Sequence, residues 1–130
     1  MLEIRYSPPY SLDIAAEPAE LAALADEIES LVSGQELSRE SGTIDPDPYA
    51  RSLRTLHVAA TAGPVRVVVQ NDGVWVTAAP ENLRAFASFF RLEAGGHAHH
   101  EYWDGNRFIA SDSVPLVVTA LRAPAERAPH

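Results

Sequence analysis

Three histidines and a glutamate stand together in the second half of the chain, at His97, His99, His100 and Glu101. Because side chains alternate between the two faces of a strand, His97, His99 and Glu101 would share one face. Two imidazoles and a carboxylate form a ligand set found in zinc and non-haem iron sites. Alternate residues of a strand are ~6–7 Å apart, so a metal would need a further ligand from a neighbouring element. The pattern leaves a metal site open and favours a solvated or partner-contacting strand face.

The other motifs that carry chemistry are missing from the sequence. The chain has no cysteine, which excludes disulfides, thiolate metal sites and cysteine nucleophiles. No serine lies in a Gly-x-Ser-x-Gly elbow, and Asp45-Pro46-Asp47 lacks the remaining ligands of a calcium loop. Gly95-Gly96 follows a predicted helix, whereas a dinucleotide-binding loop precedes one. We therefore expect no enzyme activity, no catalytic residue and no cofactor.

Aromatic side chains indicate a protein interface instead. Val74 and Val76 flank Trp75, so Trp75 points away from the core if the two valines point towards it. Tyr102 and Trp103 follow the histidine cluster. Because large aromatic residues are enriched at the centres of interfaces, we predict that these three residues contact a partner.

The charge is acidic and unevenly distributed. The formal net charge is −8, and the first 50 residues carry 11 acidic side chains but only two basic ones. Three of these acids, Asp26, Glu27 and Glu29, lie on a predicted helix and have no basic residue at i+4. Two more, Asp45 and Asp47, lie in the loop after this helix. Binding of phosphates requires clustered Lys and Arg, so nucleic acid and anionic membranes are disfavoured as partners. An acidic surface suits a basic protein partner.

The elements that position these residues are predicted as an internal duplication. Pro18–Ala25 and Pro80–Ala87 share the pattern Pro-x-x-Leu-x-Ala-Leu/Phe-Ala, with proline where a first helical turn accepts it. Alternating apolar segments precede both helices, and Asn71-Asp72-Gly73 is typical of a tight hairpin turn. The sequence predicts an α+β fold: a mainly antiparallel sheet built from two β-β-α-β repeats plus a terminal strand, with both helices packed on one face. The other face of the sheet would then stay bare.

The boundaries follow from the same pattern. Residues 1–122 form one α+β domain, with copies at about 2–59 and 65–121 and a flexible tail at 123–130. Residues 35–52 form a connection longer than compact domains normally need. The first residues lack the apolar run of a signal peptide, and no stretch approaches the ~18 apolar residues of a membrane span. We therefore expect a cytoplasmic protein with no membrane partner.

Two stretches of the chain resemble the immunity protein 32 family of bacterial polymorphic-toxin systems. The first runs from Leu2 to Ile14 and is followed by a Glu-Pro-x-x-Leu helix start. The second and more specific stretch is Gly96–Tyr102 followed by Ala110–Val118. The resemblance spans Leu2 to about Leu121 and is weakest over 35–52. It implies an antitoxin that binds and neutralises a toxin domain encoded beside it, and it implies no enzyme activity.

The leading hypothesis is therefore stoichiometric inhibition of a cognate toxin by protein–protein interaction. Trp75, Tyr102 and Trp103 would anchor the contact, the strand face of His97, His99 and Glu101 would form hydrogen bonds, and the five acids listed above would attract basic residues. Two alternatives stay open. One is a small metal-dependent enzyme or metal-binding protein that uses the His97, His99 and Glu101 strand, and the other is a homodimeric binding module that pairs through the bare sheet face.

Overall fold

The computed structural model describes residues 1–42 and 45–123. Its elements in chain order are β1 (Glu3–Ser7), β2 (Ser11–Ala16), α1 (Pro18–Glu29), β3 (Glu36–Glu40), β4 (Arg51–Ser52), β5 (Thr55–Ala60), β6 (Arg66–Gln70), β7 (Gly73–Ala78), α2 (Pro80–Ala87), a short 3-10 helix (Ser88–Phe90), β8 (His97–His100) and β9 (Leu116–Ala120). The predicted tail, apart from its first residue, lies outside the described residues.

The strands form two sheets. The five-stranded sheet has the order β4-β1-β2-β9-β8, and the four-stranded sheet has the order β3-β5-β7-β6. Each sheet contains one parallel pair, β2 with β9 and β5 with β7, and its other pairs are antiparallel. The predicted α+β class and mainly antiparallel pairing are confirmed, whereas the prediction of a single sheet is wrong.

Each sheet combines strands from both halves of the chain. The hairpin β1-β2 is completed by β9 and β8, and the hairpin β6-β7 is completed by β5 and β3. The two sets of four strands have the same order and the same directions. Their registers also correspond, because Ile14 lies opposite Val118 in one parallel pair and Val76 lies opposite Val58 in the other. Neither half of the chain therefore completes a sheet by itself.

The predicted connection 35–52 contains two strands and is thus not a plain loop. β3 pairs antiparallel with β5, and β4 pairs antiparallel with β1. Within β3 only Leu37 is apolar, and it packs partly buried against the core beside Val58. Because a single apolar residue gives no detectable alternation, β3 has no strand signal in the sequence. Residues 45–50 form the remaining connection.

One hydrophobic core contains the buried residues of both helices and of the inner face of each sheet. Pro18 and Pro80 stand in the first turn of α1 and α2, where proline's fixed φ suits a helix start. Leu21 and Ile28 lie on the buried stripe of α1, and Phe86 lies on that of α2. Each sheet consequently has a buried inner face and an outer face that points away from the helices. None of the helices in the described part of the chain combines the length and apolarity needed to cross a membrane.

Candidate functional site

A row of four side chains crosses the outer face of the four-stranded sheet. The strand registers place Val68 beside Trp75, Trp75 beside His57 and His57 beside Ser38. The indole of Trp75 stacks on the imidazole of His57, with ring centroids 3.8 Å apart and planes inclined by 15°. The Ser38 hydroxyl and His57 Nδ1 are hydrogen bonded at 2.9 Å. We call this set the Trp75 row.

The Trp75 row is open to solvent and held in place. Trp75 is 43% exposed and Val68 is 37% exposed, so the predicted outward orientation of Trp75 is confirmed. The neighbouring Gly73 leaves room for the indole, because a Cβ there would lie 3.3 Å from Trp75 Nε1 and 2.8 Å from Thr55 Oγ1. Stacking on His57 therefore orients the exposed indole, and the absence of a side chain at Gly73 leaves it the space that it occupies.

Ser38 and His57 are hydrogen bonded but do not complete a Ser-His-Asp arrangement within the described residues. A serine beside a histidine needs a third group that orients the imidazole, which is a carboxylate in the Ser-His-Asp arrangement. Within residues 1–42 and 45–123, His57 has the Ser38 hydroxyl as its hydrogen-bond partner and the Trp75 indole as its ring partner. The row also lies on a sheet face, whereas acyl-transfer chemistry needs a site that binds the developing oxyanion.

The corresponding row of the five-stranded sheet is covered at its centre. It consists of Arg5, Asp13, Val117 and His99. Asp13 is buried and accepts a hydrogen bond of 2.7 Å from Thr119 Oγ1.

Arg5 Nε donates to the backbone oxygen of Asp45, which attaches the connection 45–50 to this face. Burial, followed by the nearby Asp13 carboxylate, raises the pKa of the Tyr49 phenol, and burial raises the pKa of Asp13. The prediction of a bare outer face is therefore wrong at the centre of this sheet.

His97 and His99 lie on the outer face of β8, the edge strand of the five-stranded sheet. Both are exposed, and their rings meet edge to face with centroids 5.4 Å apart. Glu101 lies beyond the end of β8, where with His99 and Tyr10 it lines a depression of about 200 Å³. In the described ranges, no three histidine, aspartate or glutamate side chains are grouped to hold a metal ion. The geometry gives the metal-site alternative no support and leaves a polar, accessible strand face.

His100 points to the opposite side of β8 and is buried. Its ring meets Phe86 and Phe89 edge to face, with centroid distances of 5.0 and 4.9 Å. Its Nδ1 has no hydrogen-bond partner among the residues that the structure describes. Burial lowers the pKa of His100 to about 4, so the imidazole is neutral at neutral pH. An uncharged imidazole here acts as part of an aromatic wall.

Trp103 does not join the Trp75 row. It is 63% exposed and lines a separate apolar cleft with Phe86, Phe89 and Phe108, which we call the aromatic cleft. Tyr102 is half-buried. The structure therefore places Trp75 and Trp103 in two different groups of side chains, and Tyr102 lines neither of them; that these residues contact a partner stays a prediction. Sequence reasoning missed Phe108, although it stands close to Trp103 and is also exposed.

The acids of α1 are paired, contrary to the prediction of an uncompensated acidic face. Arg91 forms ion pairs of 2.7 Å with Asp26 and 2.9 Å with Glu29. Arg39, on β3, pairs with Glu27. All these side chains stay partly exposed, so the pairs add little to stability, but they remove most of the local negative field.

Asp45 and Asp47 are exposed on the connection 45–50. Asp45 Oδ1 accepts a hydrogen bond of 3.0 Å from the backbone nitrogen of Asp47, as in an Asx turn.

No family model, no curated protein and no solved structure matches the chain.

Proposed function

We propose that the protein is an immunity protein that binds and neutralises a cognate toxin stoichiometrically, with the outer face of the four-stranded sheet as its docking surface. The observation that carries the proposal is the exposed indole of Trp75, stacked on His57 at the centre of an open sheet face. The resemblance to immunity protein 32 supplies the class of partner.

The composition of this face supports a protein partner. Trp75 and Val68 form an apolar pair in the middle row of the face, which reaches the edge strand β6, and exposed charged residues such as Arg66, Glu36 and Glu40 lie around them. An apolar centre with a polar rim is the usual anatomy of protein interfaces. A rigid aromatic group also limits the conformational entropy that is lost on binding. The net charge of −8 favours a basic partner and opposes nucleic acid.

The size of the face indicates that it supplies only part of the interface. Its four strands are five or six residues long. With strands ~4.8 Å apart and ~3.3 Å per residue, the face covers roughly 300 Å². One side of a stable interface usually covers ~800 Å². A toxin that binds here must therefore also contact neighbouring surface.

The test is binding of the purified protein to the product of the adjacent gene, measured by calorimetry, together with rescue of cells that express this product. We expect one-to-one binding, and we expect Trp75→Ala to weaken it by ~30-fold, since truncation of a hot-spot residue costs about 2 kcal/mol or more. Tyr10→Ala is the matched control because Tyr10 is a more exposed aromatic outside the Trp75 row.

Two results would contradict the proposal. The docking surface is wrong if Trp75→Ala binds the toxin within threefold of the unchanged protein. If the protein instead forms a dimer that Trp75→Ala dissociates, and no toxin binds, the same face belongs to a second copy of the chain.

A further inference from the structure

The aromatic cleft lies between α2 and the loop that follows β8. Ala85 and Phe89 form its helical wall, Trp103 and Phe108 form its loop wall, and His100 contributes to its base. Its volume is about 140 Å³. The two residues of the loop wall are among the most exposed large apolar side chains in the described chain, with Trp103 at 63% and Phe108 at 59% exposure.

The loop wall is fixed by hydrogen bonds although its rings are exposed. Asn106 Oδ1 accepts from the backbone nitrogens of Phe108 and Ile109, at 2.6 and 3.0 Å. The backbone oxygen of Phe108 accepts from the nitrogen of Val65 at 2.7 Å, which attaches the loop to the start of β6. Gly105 adopts φ +88°, a conformation that glycine allows without strain. The cleft is therefore preformed, which reduces the entropy lost when it is filled.

The volume of the cleft fits a single side chain and is too small for a cofactor. Pockets for cofactors and other small molecules usually measure ~300–1,000 Å³. An apolar cavity of ~150 Å³ holds a benzene ring. The rings of Phe86 and Phe89 give the cleft apolar walls, and in the described residues no carboxylate or guanidinium lines it. A single apolar ring thus fits both its volume and its lining.

The cleft lies beside the β6 edge of the proposed docking surface. Val65, which lines the cleft, is three residues from Val68 of the Trp75 row, or ~10 Å along the strand. The outer sheet face alone is too small for a stable interface, as shown above. A partner that extends round the β6 side of the sheet would reach both aromatic groups.

We infer that the aromatic cleft receives one aromatic side chain that projects from the basic surface of the partner protein. The inference rests on the proposed function for the identity of that partner. It assigns a second anchor to the interface, separate from Trp75, and it makes Phe108 a residue that determines specificity.

The first experiment uses a free probe. We expect N-acetyl-L-phenylalaninamide to shift the amide signals of Ala85, Phe89 and Phe108 in ¹H–¹⁵N spectra, with saturation at concentrations on the order of 1–10 mM. N-acetyl-L-lysinamide should leave them in place. Ala85→Phe should abolish the shifts, because Ala85 is exposed on α2 and a ring there fills the cleft without disturbing the core. Absence of saturable shifts in the unchanged protein would overturn the inference.

The second experiment measures toxin binding. Ala85→Phe should weaken it by at least tenfold, and Ala19→Phe, the same change at an exposed position of α1, should leave it within twofold. If the toxin binds the unchanged protein and Ala85→Phe equally well, the cleft is not an anchor while the proposed function stands. If the probe binds and the toxin does not, the proposed function fails, and with it the assignment of the partner.

Discussion

The buried histidine of β8 predicts a specific loss of stability in mild acid. His100 is 1% exposed, its Nδ1 has no hydrogen-bond partner within the described residues, and burial lowers its pKa from the ordinary 6.5 to about 4. Between these two pH values the unfolded chain binds a proton at this position and the folded chain does not. Stability therefore falls as the pH falls below about 6.5, and this loss is complete near pH 4.

The magnitude follows from the two pKa values. A shift of about 2.5 pH units corresponds to about 3 kcal/mol in total, of which about 2 kcal/mol is lost by pH 5. Burial raises the pKa of Asp13, which acts in the opposite direction, because the folded chain then binds the extra proton as the pH falls. A comparison of two variants at the same pH cancels this contribution.

The informative substitution is His100→Leu. At pH 7 it removes an unpartnered polar atom, a gain of ~1 kcal/mol, and loses edge-to-face contacts of similar value with Phe86 and Phe89. At pH 7 we expect the free energies of unfolding of the variant and the unchanged protein to agree within ~1 kcal/mol. Between pH 7 and pH 5 the difference between them should shift by about 2 kcal/mol in favour of the variant. Urea denaturation followed by circular dichroism measures both values.

The control is His99→Leu, which changes an exposed histidine of the same strand and should follow the unchanged protein at both pH values. The reasoning is refuted if the stability difference between His100→Leu and the unchanged protein is the same at pH 7 and pH 5. In that case the imidazole finds a partner or solvent that the arrangement described here does not provide.

Three further predictions concern the core, the ion pairs and the docking surface. Phe86→Ala should lower the free energy of unfolding by ~3–5 kcal/mol in urea denaturation, and a loss below 1 kcal/mol would contradict the close packing of this buried ring. Arg91→Ala should cost less than ~1 kcal/mol, because its pair with Asp26 is exposed, and the cost should shrink in high salt; a larger, salt-independent cost would refute this. Gly73→Ala should displace the ring of Trp75, so that its indole NMR signal shifts and toxin binding weakens while the chain stays folded; an unchanged signal would show that Thr55 alone absorbs the clash.

The sequence predicts the local elements of this fold better than their partners. Alternation in β1 and in the β6-β7 hairpin states which side chains face the core, and the apolar spacing of α1 predicts its buried stripe. These patterns do not show which strands pair with each other in a sheet. The parallel pair that joins Leu12 to Leu116, for example, spans more than a hundred residues. The division into two sheets depends on these distant pairs. This is why one sheet was predicted where two exist.

The candidate site shows the same limit. The exposure of Trp75 follows from its two valine neighbours and could be predicted. Its stacking on His57 depends on the parallel pairing of β5 with β7, which the sequence does not specify. The pairing of Asp26 with Arg91 was missed for the same reason, because the two residues are far apart in sequence and meet only after folding.

The two sheets differ in how their outer faces are covered, and this difference bears on the proposed docking surface at Trp75. Four strands of the five-stranded sheet correspond in order and register to the four-stranded sheet, and Asp13 occupies the position there that Trp75 occupies in the other. There the connection 45–50 attaches to the outer face and the central side chain is buried. The shared backbone therefore accepts a covered outer face and does not require an exposed indole. At 43% exposure, Trp75 leaves roughly 100 Å² in contact with water, which forgoes about 2–3 kcal/mol of apolar burial. Docking of the proposed partner on this face would bury the indole and recover that free energy.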